Sequence, residues 1–428
     1  MTSFPTTARH PHDRADLMEH TFIALFSIAT VVAIAVGRTR VPYTVALVVV
    51  GLIVGSFDLV SPPHLTKDLL FAVFLPGLIF EAAYNLHVSE LRRGWRMVTV
   101  LAGPGIIVAI LVTGLVTAWL IRLLGLDPAF SWRDGLVFAA LVSATDPIAV
   151  VSLFRKLGVS PRLTTLVEAE SLFNDGTSIV ALTLILAFVS GEATSVGGLA
   201  GRFLVVVIGG AVVGGVIAYA IVRVTKRIND PMIEITLTTI AAYGSFVGAE
   251  SLGLSGVIAT VCAGLILGTT GRESAFSPET RVTADAFWQY IAFALNSIVF
   301  LLIGFETRAV RLLSSAAMIA IGFAVVLGAR LLVVAGSAAL LHKSDERIPA
   351  RWMALITWGG LRGALAMVLA LALPVDIPQR ALLIDMTFGV VVLSLLVQGL
   401  SIPWITPHLA SDSGQISESS SGSKTIPA

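Results

Sequence analysis

From Glu19 almost to the C-terminus the chain is a succession of apolar runs of roughly twenty residues, each closed by charge, Pro or Gly. A run of that length crosses the hydrocarbon core of a bilayer as a helix. Only helices and closed barrels satisfy every main-chain polar group there. Thirteen such runs can be laid out, centred near Ala29, Val49, Leu75, Ala109, Val142, Ile179, Gly210, Ile240, Thr260, Val299, Val325, Leu361 and Val392. The pattern predicts an all-α polytopic membrane protein. A composition of 56% hydrophobic and 13% charged residues excludes a water-soluble domain. The net charge of +1 gives no basis for binding nucleic acid.

Residues 1–18 read as a polar N-terminal tail, without the basic-then-apolar order of a cleavable signal. The transmembrane domain is expected over 19–405, and the Ser- and Gly-rich stretch 409–428 reads as a disordered tail. Lys and Arg gather on one set of alternating loops, as at Arg92, Arg93 and Arg96, at Arg155, Lys156 and Arg162, and at Arg223, Lys226 and Arg227. That bias places the C-terminus in the cytoplasm, the N-terminus outside, and the chain as a multi-pass protein of the cell membrane. The single cysteine, Cys262, excludes a disulfide framework, and His10 and His12 have no third ligand near them in sequence.

Two spans carry helix breakers at their centres. In the fifth, Thr145-Asp146-Pro147 sets a capping residue and a proline in mid-membrane, which is a helix start. In the twelfth, Gly359-Gly360-Leu361-Arg362-Gly363 makes a comparable break. If spans one to six (about 19–190) and eight to thirteen (about 232–405) are two repeats joined by a linking helix (about 196–225), both breaks fall at the fifth helix of their repeat. Matched interruptions point to inverted repeats and a midplane ion site.

Charged groups in such a setting cost about 2.5–3.5 kcal/mol each on insertion scales and are kept for work on ions or protons. Asp146, Glu168, Glu170 and Asp175 cluster between Val142 and Ala181, and Arg362 lies far downstream. Crossed broken helices bring partial positive charge at two N-termini and partial negative charge at two C-termini to one point. Asp146 is placed to offset the first and Arg362 the second. On the sixth span Ser171 and Asp175 lie one turn apart on one face, with Glu170 and Asn174 on the neighbouring face. A small hard cation takes carboxylate, hydroxyl and carbonyl oxygens. Asp175, Asp146, Ser171 and the Thr145 carbonyl supply them, with Asn174 beside the set and Glu81, in FLPGLIFEAAYN, as a further candidate. Two carboxylates in so dry a place hold a proton or a cation rather than two bare charges. Glu170 is the expected partner of Arg362, because an unpaired buried charge is strongly destabilising. Arg330 is expected to pair with an acid that the sequence does not identify. Glu168, Glu234, Glu250, Asp285 and Glu306 read as interfacial. The pairs Gly51/Gly55 and Gly210/Gly214 have the spacing of close helix packing.

The stretches SATDPIAVVSLF, EAESLFNDGTSIV and WGGLRGALAM strongly resemble the monovalent cation/proton antiporters, specifically bacterial sodium/proton antiporters of the NhaP type, which are related to the eukaryotic sodium/proton exchangers. FLPGLIFEAAYN looks like that family's third helix, with Gly77 where a second proline is common. The resemblance runs from about Glu19 to Pro407. It implies a homodimer of thirteen-helix protomers and a core with crossed helices. It also implies an exchange site at Asp175 and Asp146, with Asn174 and Thr145 beside them, and a Glu170–Arg362 ion pair. Asn174 before the key aspartate implies electroneutral exchange. The expected function is Na⁺ (or Li⁺) against H⁺ antiport for pH and sodium homeostasis, with K⁺/H⁺ exchange as the nearest alternative and a cation channel as a distant one. No cofactor is expected beyond the transported ions, and membrane lipid is the expected surround. The chain has no HExxH, GxSxG or GxxxxGK[ST], so neither an enzyme nor an ATP-driven pump is expected.

Overall fold

The computed structural model describes residues 11–39, 41–56, 69–191, 195–307 and 309–410, and every regular element among them is helical. Helical segments fall at all thirteen expected places. Among the described residues seven helices, including Pro161–Val189, Pro278–Glu306 and Ala316–Leu340, are long and apolar enough to cross a membrane. The apolar stretches Ile23–Val36, Tyr43–Gly55 and Phe71–Asn85 are shorter. The fifth span is split into Trp132–Leu141 and Ile148–Lys156, and the twelfth into Ala350–Trp358 and Ala364–Leu371. The first helix is described from Pro11 to Val36, so part of the stretch read as a polar tail is helical. Residues 411–428, most of the stretch read as a disordered tail, lie outside the described residues.

Several spans start at a cap. Ser131 and Asp134 form a reciprocal capping box at the head of the fifth span. Asp230 accepts from the Met232 and Ile233 amides ahead of the eighth, and Ser277 caps the tenth ahead of Pro278. Four turns widen to π-helical geometry, at Leu70–Phe74, Leu101–Gly105, Leu267–Gly271 and Ser394–Gly399. Pro104 accounts for the second of these, since it has no N–H to give the helix.

Without a hydrophobic drive between helices in lipid, packing depends on close backbone approach. The two glycine pairs provide it. Gly51 and Gly55 of the second span lie against the Leu301 carbonyl and the Phe305 main chain of the tenth. Gly210 and Gly214 of the seventh lie against the Ser255 and Ala259 carbonyls of the ninth. A methyl group on Gly214 has no room beside the Ala259 backbone. Gly214→Ala is therefore expected to lower stability by about 1–3 kcal/mol, read as an earlier thermal melt in detergent. A wild-type melt would mean that this seam is not closely packed.

Candidate functional site

The two broken spans cross in the middle of the molecule. The Asp146 amide donates to the Leu361 carbonyl at 2.8 Å, which ties one unwound segment to the other. Each segment leaves main-chain carbonyls and amides outside any helix, and these must be satisfied locally. The Arg362 guanidinium answers the carbonyl end. Its Nη1 donates to the Ser143 and Ala144 carbonyls, at 2.7 and 3.1 Å, where Trp132–Leu141 ends. Asp146 answers the amide end, with Oδ1 accepting from the Ile148 amide at 3.0 Å. Its carboxylate also lies against Gly363, at the head of Ala364–Leu371, where any side chain would displace it. The carboxylate thus caps one helix N-terminus and lies beside a second, where the partial charges favour it.

The sixth span braces this crossing. The Ser171 hydroxyl donates to the Thr145 carbonyl. Asn174 Nδ2 donates to the Ser143 carbonyl and to Thr145 Oγ1, both at 3.1 Å, and its Oδ1 accepts from Ser178. Asn174, expected in the cation site, is bonded to Thr145 but does not line the cavity. It lies one residue, about 100°, round the helix from Asp175, and its amide is engaged in holding the unwound segment to the sixth span.

The expected Glu170–Arg362 pair is also corrected. Glu170 is held by Arg330 of the eleventh span through two parallel hydrogen bonds, both 2.7 Å, with the carboxylate side chain 2% and the guanidinium 9% exposed. Both arginines are deeply buried, and the fork of Arg330 meets the Glu170 carboxylate end on. Arg362 is directed instead to the carbonyls it caps. Beneath it the widened turn of the last span supplies Ser394, whose Oγ accepts from the Arg362 amide, and Gln398, which joins Ser394 to the Trp358 carbonyl. Sequence reasoning passed over these two residues. Their signal was a serine and a glutamine four apart in the apolar run VVVLSLLVQGL.

Against the crossing lies a cavity of about 130 Å³. Asp146, Asp175, Ser171 and Thr145 line one side of it, so the expected carboxylate, hydroxyl and carbonyl oxygens do converge. Asp175 Oδ1 is buried and has no hydrogen-bond partner. Glu81 also reaches the cavity, with Oε1 accepting from Asn85 at 2.9 Å. Glu168, read as interfacial, is buried at the cavity edge and bonded to Arg155 at 3.0 Å. The rest of the lining from the third and tenth spans is apolar at Phe74, Leu78, Val299 and Phe300, apart from one amide, Asn296. Chemically, oxygens so gathered suit one small cation, and either carboxylate suits one proton.

Residues 23–407 match the family model for the transmembrane part of sodium/hydrogen exchangers. The chain is 36% identical over 395 residues to the low-affinity Na⁺/H⁺ antiporter NhaS1 of Synechocystis, covering 90% of this chain and 72% of that protein. It is 38% identical over 342 residues to the Na⁺/H⁺ antiporter NhaP of Pseudomonas aeruginosa, covering 78% and 80%. Its fold is that of the solved sodium proton antiporter MjNhaP1 of Methanocaldococcus jannaschii, with a TM-score of 0.75, 19% identity, and 93% and 98% of the two chains covered.

Proposed function

We propose a mechanism of ion exchange for this chain, which belongs to the sodium/hydrogen exchanger family. It is a multi-pass membrane transporter that exchanges Na⁺ for H⁺, and not an enzyme. In the proposed cycle Asp175 is the group that changes occupant. Its buried Oδ1, unpartnered at the cavity wall, is the observation that carries the reading. A bare carboxylate oxygen in that position is costly, and either a proton or a monovalent cation relieves the cost. Asp146 is held by the Ile148 amide at one helix start and lies against another at Gly363, so it remains the fixed anion that draws the cation in and shares it with Asp175. Ser171 and the Thr145 carbonyl complete the oxygen set, and Glu81 feeds it from the third span. Competition for one site couples the two ions, because the loaded forms cross and the empty form does not.

One proton or one cation occupies the same carboxylate pair in turn, so the charge carried is the same in each direction. That supports electroneutral one-for-one exchange, in line with Asn174 preceding Asp175. The crossed helices move as one body against a scaffold of the remaining spans, taken here as part of a homodimer. The C-terminus faces the cytoplasm, in accord with the loop arginines and lysines. A dye assay in proteoliposomes tests the ion and the stoichiometry together. After a pH jump, Na⁺ and Li⁺ are expected to discharge the gradient, K⁺ is not, and clamping the voltage with valinomycin should leave the Na⁺ rate unchanged. Equal discharge by K⁺ would make the protein a K⁺/H⁺ exchanger. A rate that follows voltage would end the one-for-one stoichiometry.

A further inference from the structure

The oxygens considered so far come from the fifth and sixth spans, with Glu81 from the third. The tenth span lines the same cavity and is apolar there, with one exception. Asn296 lines the same cavity as Asp146 and Asp175, one turn from Phe300 on the same helix face. Its side chain has no hydrogen-bond partner among the described residues. The contrast with its neighbour is informative. Ser297, turned about 100° away, bonds to the Phe293 carbonyl and to the Tyr43 hydroxyl, so that hydroxyl is fully used in packing the tenth span against the second. Asn296 supports no such contact. Its amide is half-buried and open to the cavity, so a partner for it can come only from what the cavity holds, and asparagine is a poor helix former. An apolar residue like Val299 would fill the wall at lower cost. The amide is therefore explained by a partner that visits the cavity.

We infer that Asn296 is a scaffold-side ligand for the transported cation, its carbonyl oxygen completing the coordination shell begun by Asp146, Asp175 and Ser171. An amide oxygen is a neutral, hard donor suited to Na⁺ or Li⁺, and it adds no charge to a one-for-one exchanger. The Thr145 carbonyl divides its lone pairs between the Ser171 hydroxyl and the ion, so a further neutral oxygen strengthens the set. A ligand on the tenth span would also distinguish the two occupants. A cation needs oxygens all round it, whereas a proton needs only the carboxylate that carries it. Asn296 would then contribute to cation binding and not to proton binding, which makes it a residue of cation affinity and specificity.

This inference rests on the exchange site at Asp146 and Asp175, and the test separates the two. Purified wild type is first shown to exchange in proteoliposomes, and loss of exchange in Asp175→Asn supports the site itself. Against that background Asn296→Ala and Asn296→Leu are expected to raise KM for Na⁺ about tenfold, the loss of one bond to a charged partner. The maximal rate at saturating Na⁺, and its dependence on pH, should be unchanged. Leu keeps the side-chain bulk, so agreement of the two variants assigns the effect to the amide. Asn296→Asp restores an oxygen and is expected to keep KM at or below the wild-type value. Thermal melts of all three should match wild type. An unchanged KM in both Ala and Leu variants would overturn the inference, as would a KM rise accompanied by a large fall in melting temperature that Asp does not rescue. An inactive wild type, or full exchange by Asp175→Asn, would instead overturn the underlying site.

Discussion

Asp175→Asn is expected to abolish Na⁺/H⁺ exchange in proteoliposomes while the protein still inserts, folds and melts near the wild-type temperature. The substitution keeps volume and polarity, and Asp175 Oδ1 makes no hydrogen bond whose loss would unfold the chain. What disappears is the ability to be neutral with a proton and negative without one. An amide is neutral throughout, so a cation meets only the single charge of Asp146 and cannot be displaced by a proton on its neighbour. Measured with the same dye assay, the rate should fall to that of empty vesicles. Retention of a substantial fraction of the wild-type rate would remove Asp175 from the mechanism.

The second large effect concerns stability. Removing one member of a buried ion pair leaves the other charge without compensation, at a cost of about 3–5 kcal/mol. Glu170→Ala and Arg330→Ala are each expected to show it, as a large drop in melting temperature and in purified yield. Replacing both by apolar residues, as in Glu170→Leu with Arg330→Met, should recover much of the loss, because the charged pair itself contributes little net stability over a packed apolar one. The recovery depends on Arg330 being the partner. Were Glu170 held by Arg362, Arg330→Ala would be mild, and Glu170→Leu would be rescued by a change at Arg362. Arg362→Ala is expected to cost less than Arg330→Ala, since it removes hydrogen bonds to the Ser143 and Ala144 carbonyls but strands no carboxylate.

These two effects separate function from architecture within a few residues of one helix. Asp175 faces a cavity and is left unpartnered, and its neighbour Asn174 faces the crossing and is fully bonded. Glu170, one turn earlier, faces the eleventh span and is locked. The same polar stretch therefore supplies the proposed exchanging group, a strut and an anchor, according to rotation about the helix axis.

Much of this was legible along the chain. Span number and position follow from apolar run length, because bilayer thickness is a one-dimensional constraint that acts on each segment separately. The breaks at Asp146-Pro147 and Gly359–Gly363 follow from backbone chemistry confined to those residues. Their mutual capping by Asp146 and Arg362 follows from helix-end charge, which has the same sign in every helix. The gathering of Asp146, Asp175, Ser171 and Thr145 needed only helical spacing and the premise that the breaks meet. Pairing between distant spans was another matter. Arg330 and Arg362 read alike in sequence, as single arginines in apolar runs, and which one meets Glu170 depends on how the eleventh and twelfth spans are rotated and crossed. The commitment of Asn174 to the unwound carbonyls, the reach of Glu168 to the cavity edge, the support from Ser394 and Gln398, and the exposure of Asn296 to the site have the same origin. Each is set by the direction in which a side chain leaves its helix relative to a neighbour more than a hundred residues away or across a sharp break, and helix-to-helix orientation in a membrane is decided by packing of the assembled bundle.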